Sequence, residues 1–282
     1  MNQEFNAREL MADAKFYEAY ARYNTDEGRY ETWSEAVDRV MNMHKEFYKD
    51  KLSGSLLDYM SFAEDRYKQK KVLGAQRVLQ FGGDQLLSHH IRNYNCVSSH
   101  CDRPAFFGEF MYMLLCGAGA GFSVQKHHVM QLPLIAQRKN KAVTYKIPDS
   151  IEGWAESVDV LMSSFFEDGG KHPKYKGCHV SFDYSDIRPK GAFISGGFKA
   201  PGPEPLRKAL GLIEDLLNKA VKEGDKLRPI HCYDICMYAA DAVIAGGVRR
   251  SATISLFSKD DDEMMKAKTG NWFVDNPQRG RK

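Results

Sequence analysis

Cys96 lies in NYNCVSSHC, a polar stretch without helical periodicity that runs up to a helix. A cysteine in a partly exposed polar connection is a candidate for redox or nucleophilic work, because the thiolate is the reactive form and needs access; most cytosolic cysteines are instead small, inert core residues. Cys101, five residues on, allows a local redox pair, but nothing in the spacing requires one. Cys232 and Cys236, at i and i+4 of a helix, read as core packing, and so does Cys116 at the end of an apolar helix. Three glycine groups suggest a second chemistry: GAGAG at 117–121, SGG at 195–197 with APGP at 200–203, and AGGVRRS at 245–251. Beside strand and helix ends, glycine permits positive φ and close approach of a ligand, and free amides there cradle phosphate. The same glycines serve equally well as tight turns. Arg249 and Arg250, just after Gly246-Gly247, tip the third group towards phosphate, because a forked guanidinium matches phosphate oxygens. The pairs His89-His90 and His127-His128 lack metal-ligand spacing and read as surface or satisfied core histidines.

The elements that must position these residues begin with helices. Leu10, Met11, Ala14, Tyr17, Tyr20 and Ala21 recur at helical spacing, and Thr32-Trp-Ser-Glu35 is a capping box opening a second helix through about Tyr48. A third is expected from Ser55 to about Lys68. Pro104 opens the apolar helix AFFGEFMYMLLC, which Gly117 ends. After GAGAG comes the β-prone FSVQ, so the glycines fall between helix and strand, the reverse of a dinucleotide fingerprint, and a Rossmann fold is rejected. Ser150 caps a helix through about Phe166, 177–185 is a strand, Pro205 to Glu223 is an amphipathic helix stopped by Gly224, and Ile230 to Ala245 is another helix. SATISLF at 251–257 is a strand with Ala252, Ile254 and Leu256 on one face. This alternation predicts an α/β architecture with a largely parallel sheet over 71–282, preceded by a helical region over 1–70.

Composition limits the function. With 43% hydrophobic and 27% charged residues, the 282-residue chain is globular rather than disordered, collagen-like or coiled-coil. A net charge of +3 gives no field strong enough to make nucleic acid the main partner, while nucleotides need only local charge. The first residues lack a secretory pattern, and the longest apolar run, Met111 to Cys116, is far short of the ~20 residues of a membrane helix, so a cytoplasmic protein without membrane contact is expected. Six cysteines without CxxC spacing argue against a disulfide scaffold and structural zinc, and no metal ligands are assigned.

Four strings then become informative together: YNCVSSHCDRPAFFGEFMYMLLCGAGAGFSVQ, HVSFDYSDIRPKGAFISGGFKAPGPEPLRKAL, DICMYAADAVIAGGVRRSATISLFSKDDDEM and NWFVDNPQRGR. In this order, from about Tyr59 to Arg281, the chain resembles the amino-terminal half of ribonucleotide reductase catalytic chains, most nearly the adenosylcobalamin-dependent class. The resemblance implies a ten-stranded α/β barrel in which a cysteine thiyl radical abstracts hydrogen from ribose and two further cysteines reduce the sugar, becoming a disulfide. It makes Cys96 one of that reducing pair. Asn95 and the backbone around Gly119 match positions lining the substrate pocket. AGGVRRS matches the loop joining effector site to substrate base, so that Arg249 senses both, Gly247 lies on the effector side, and Asp102 falls where the family holds the effector ribose. Where the family has Pro-Ser, this chain has Leu73-Gly74-Ala75-Gln76-Arg77; a serine contact to substrate phosphate is absent, and the amides of Gly74 and Ala75 are expected to replace it.

The family's Ser-Asn-Asn-Ser stretch, radical cysteine and second reducing cysteine do not occur in the 282 residues. The resemblance therefore implies a complementary carboxyl-terminal half, on a separate chain or a missing segment, that binds most of the adenosylcobalamin. It also implies a thiol reductant such as thioredoxin, a nucleotide substrate and a deoxynucleotide effector. Two rival readings stand beside it: a reductase fragment served by a separate metal-containing radical subunit, and a nucleotide-binding regulatory module without catalysis.

Overall fold

Local signals set most helix ends. Thr32 Oγ1 accepts from the Glu35 amide while Glu35 Oε2 accepts from the Thr32 amide at 2.7 Å, so the expected capping box starts the helix Trp33–Phe47. Ser150 Oγ accepts from Gly153 N at 3.0 Å at the head of Ile151–Phe165. Gly117, at φ 85°, ends Phe106–Leu115: its amide bonds back to Leu114 and that of Ala118 to Met113, the paired pattern that satisfies terminal carbonyls. The computed structural model describes residues 7–139, 141–194, 198–244 and 252–280. Its contacts divide the chain into two units, one running through Tyr94 and taking in the segment around Ile194 and Phe198, the other comprising most of the remainder from Asn95.

The first unit carries α1 (Ala7–Ala19), α2 (Trp33–Phe47) and α3 (Gly54–Lys68), a short hairpin between α1 and α2, and short helical turns after α3. Its core gathers Phe16, Ala36, Val37, Val40, Tyr67 and Leu79. The face expected from α1 is not the one used. Leu10 and Met11 are exposed, and Phe16 alone of that helix is buried, its ring edge-on to Trp33 at 5.5 Å. Aromatic contact with α2 thus outweighs the longer aliphatic stripe.

In the second unit, β1 (Cys96–His100), β2 (Gly119–Ser123) and β5 (Thr253–Leu256) form a parallel sheet in the order β1-β2-β5; β3 (Ala142–Lys146) pairs in parallel with β4 (His179–Asp183). Helices α4 (Phe106–Leu115), α5 (Ile151–Phe165), α6 (Glu204–Glu223) and α7 (Pro229–Ile244) surround one core, in which the phenylalanines of α4 and Phe122 of β2 meet α5, α6 and α7. From Gly153 to Phe165 only Glu156 of α5 escapes burial, so this helix is covered all round. Gly108 of α4 lets α5 approach: an added Cβ would fall on the carboxylate of Asp159, which accepts from the Gly108 amide at 3.0 Å and pairs with Lys171 at 2.7 Å.

The α/β expectation with parallel pairing is met, and several details are corrected. NYNCVSSHC is not a connection: from Cys96 to His100 it is a strand, recognisable only through its pairing with β2. Of the GAGAG glycines, Gly117 makes the turn, while Gly119 and Gly121 lie within β2. Ile254 and Leu256 share a face as expected, but that face is open, with 66% and 58% of each residue exposed. Strand β3 was not anticipated, although Val143 and Tyr145 alternate with Ala142, Thr144 and Lys146. Among the described residues the strands form open ladders and no closed barrel.

Candidate functional site

Strand alternation sends Cys96, Ser98 and His100 to one face of β1, and all three are exposed. Their register partners on β2 are Gly119, Gly121 and Ser123; the last two pair in turn with Ile254 and Leu256 of β5. The thiol therefore stands on an open sheet face whose floor beside it consists of glycine. A Cβ at Gly119 would lie 3.5 Å from Cys96 Sγ, and one at Gly121 would lie 3.4 Å from Ile254 Cγ2. Both are ordinary contact distances, so packing within the sheet does not demand glycine. What the missing side chains leave is depth next to the sulfur. Asn95, exposed just before β1, fixes this edge with its carbonyl, which accepts from the Gly119 amide at 2.8 Å.

The other thiols are set apart from this face. None of the six cysteines is in a disulfide, and every one except Cys96 is buried. Burial, followed by a hydrogen bond with the Cys232 thiol, pushes Cys101 well above the usual cysteine range, and burial does the same to Cys236. These groups stay protonated and unreactive. Cys232, Cys236 and Cys116 are core residues, as their spacing indicated, and Cys101 does not share the exposed face with Cys96.

At the far end of β1 the half-buried Asp102 is engaged by Arg103 Nη1 at 2.7 Å, and Arg103 also binds Ser99 Oγ and Glu109. Next to them a grouping appears that spacing did not suggest. His128 Nδ1 and Ser123 Oγ are 2.8 Å apart, and the His128 ring contacts those of His100 and His127. Strand parity was the available signal, since His100 lies four residues after Cys96 on the same face. Within the first unit, the Gly74 amide donates to the Tyr67 hydroxyl, and Ala75 caps the short helix Gln76–Phe81 through its carbonyl. Both residues are exposed. Gly247 and Arg249 lie outside the described residues. No described helix is long and apolar enough to cross a membrane.

Comparison with known proteins gives one answer from three directions. The sequence profile of the insertion domain of B12-dependent ribonucleotide reductase matches residues 122–217. An adenosylcobalamin-dependent ribonucleoside-triphosphate reductase of Lactobacillus delbrueckii subsp. bulgaricus is 30% identical across 88% of this chain and 41% of its own length. The enzyme of the same name from Levilactobacillus brevis is 27% identical over the same shares. A crystal structure of B12-dependent (class II) ribonucleotide reductase superposes with a TM-score of 0.78 at 24% identity, covering 93% of this chain and 44% of the other, which establishes the α/β fold. The chain spans about two fifths of the length of the curated relatives it matches, and the likeness falls on their amino-terminal part.

Proposed function

We propose that this chain, similar along most of its length to the amino-terminal part of adenosylcobalamin-dependent ribonucleoside-triphosphate reductases, is itself that part of a cytoplasmic ribonucleotide reductase, with Cys96 as one of two thiols that reduce the ribose. The observation that supports this reading best is the exposed Cys96 sulfur on an open, glycine-floored sheet face. In the net reaction a ribonucleotide and two thiols become a deoxyribonucleotide, water and a disulfide, the two electrons coming from the thiols. The other five cysteines are buried, so the second reducing thiol and the radical-bearing thiol come from a complementary carboxyl-terminal segment, on this polypeptide or another. A dithiol reductant such as thioredoxin then reopens the disulfide.

In this reading residues 1–70 are a helical appendage and 71–282 the first part of a ten-stranded barrel. Ile254 and Leu256 belong to the inner wall that the complementary segment closes; closure also removes the unpaired strand edges. Asn95 and Gly119 line the substrate pocket, and Gly74 and Ala75 lie by the substrate phosphate. Asp102 and Gly247 serve the effector, and Arg249 links effector to substrate base.

Adenosylcobalamin supplies the radical when bound. A concavity of about 530 Å³ lined by Asn42, Lys45, Glu46, Lys49, Leu52 and Leu57 is rimmed by charge and does not fit a corrin with its nucleotide tail. The cofactor's binding residues are assigned to the complementary segment.

The test is Cys96→Ser in the completed enzyme. Deoxynucleotide formation over multiple turnovers should disappear while nucleotide binding survives. Normal turnover with a dithiol would refute the assignment.

A further inference from the structure

The ladder of β3 and β4 has an edge with which no described residue pairs. Ile147 donates its amide to the Asp183 carbonyl at 2.9 Å, which fixes the phase of the parallel pairing. Backbone groups alternate in direction along a strand, so those of Val143 and Tyr145 turn to β4 and those of Ala142, Thr144 and Lys146 turn outward. The three outward residues are exposed. Among the described residues no third strand joins β3, and the outward amides and carbonyls have no hydrogen-bond partner. A bare edge of this kind is a template for another chain unless charge guards it. Here the guard is missing from the middle: Ala142 and Thr144 are uncharged, and Lys146 pairs with Asp186 at 2.7 Å.

Positive charge gathers at one end of this edge. Residues 137–148 hold Arg138, Lys139, Lys141 and Lys146 without a carboxylate, and residues 169–182 hold Lys171, Lys174 and Lys176 without one. Pairing of β3 with β4 sets the two stretches side by side, and the Lys139 amide donates to the Gly177 carbonyl at 3.1 Å. Arg138 is committed to Glu214 and Lys171 to Asp159. Lys139 and Lys141 are exposed and form no ion pair among the described residues. The rings of the ladder turn inward, Tyr145 and Phe182 packing against Val160, Tyr175 and Val180. Its outer face carries Ala142, Thr144, His179 and Ser181, with no Phe, Tyr or Trp platform for nucleic-acid bases.

We propose that the outer edge of β3 is a docking site for an extended acidic segment of a partner polypeptide, which adds as an antiparallel strand and sets its carboxylates on Lys139 and Lys141. Strand addition draws its affinity from main-chain bonds, here those of Ala142, Thr144 and Lys146, while charge at one end fixes direction and register. An antiparallel strand lays its carboxyl-terminal residues beside the amino end of β3, so the acidic residues stand at that end of the segment. The inference uses no residue assigned to ribose reduction and stands independently of that reading.

The test is fluorescence anisotropy on the 282-residue chain with a labelled, amidated peptide of about eight residues, alternating Thr and Val and ending in two Asp. Wild type should bind it, and amide exchange at Ala142, Thr144 and Lys146 should slow in the complex. Lys139→Gln combined with Lys141→Gln should weaken binding about tenfold, and added salt should weaken it in wild type. Thr144→Pro deletes an outward amide and spares the ladder to β4, so it should abolish binding with an unchanged circular dichroism spectrum; if that variant fails to fold, the lysine pair and the exchange data decide. Equal binding of a peptide interrupted by proline overturns strand addition, and equal binding of a peptide ending in Lys overturns the acidic partner. Tighter binding of oligothymidylate than of the peptide assigns the lysines to nucleic acid and overturns the proposal. Absence of both peptide binding and amide protection overturns it as well.

Discussion

Asp159→Asn isolates the energetics of the closest helix contact in the second unit. The Asp159 side chain is 1% exposed between α4 and α5, and burial pushes its carboxyl from 3.8 up to about 6, against the pull of Lys171 and of the Gly108 amide. The folded chain therefore keeps this proton to higher pH than the unfolded chain. Stability should fall as pH rises from about 4 to about 6 and level off beyond. A difference of about two pKa units corresponds to about 3 kcal/mol. Asparagine mimics the protonated acid, still accepts from Gly108, and leaves the 46%-exposed Lys171 to water. Urea unfolding followed by circular dichroism from pH 4.5 to 7.5 should give nearly equal stabilities at the acid end and an advantage of about 1–3 kcal/mol for the variant at pH 7.5. If the two stability profiles run parallel, or if the variant loses stability steadily towards pH 7.5, the Lys171 attraction outweighs burial and the reasoning fails.

Gly108→Ala places a methyl group on the buried Asp159 carboxylate and should cost about 3–5 kcal/mol in the same unfolding assay, because the displaced carboxylate has nowhere to go; combining it with Asp159→Ala should recover a measurable part. Arg279→Ala should lower stability by about 3–5 kcal/mol. It strips Asp234, 8% exposed, of a bidentate partner at 2.5 and 2.7 Å and frees the Ala267 carbonyl, so a stability loss below about 1 kcal/mol in urea unfolding would contradict the described pairing.

Where one residue decides an element, the amino-acid order was readable. Thr32, Ser150 and Gly117 each satisfy backbone groups within a few positions of themselves, and the corresponding helix ends appear where expected. Strand β1 was not readable, because Cys96, Ser98, Ser99 and His100 lack an apolar face; β2 holds them in place, and β2 itself is bounded by β5 far along the chain. The face of α1 depended on the arrival of Trp33 from another helix. For the candidate site, the importance of Cys96 followed from its string, whereas its exposure and glycine floor depend on register. The histidine cluster joins His100, at the end of β1, to His127 and His128 on the short helix Lys126–Val129 that follows β2, a relation that pairwise spacing between His127 and His128 does not contain.

Strands β2 and β5 are hydrogen-bonded neighbours, yet everything between Ser123 and Thr253 intervenes in the chain, including all but the first two residues of the segment that matches the insertion-domain profile. The excursion must leave and return at points one strand spacing apart, ~4.8 Å. As a flexible loop it would impose a closure penalty that delays pairing of the last strand. Built instead around α5, α6 and α7, which share one core with α4 and β2, it holds its two ends together by packing against the strand it left. Completion of the sheet that carries Cys96 thus depends on the packing of the excursion, and anything that loosens α5, α6 or α7 loosens the return of β5 to β2 without touching the thiol face.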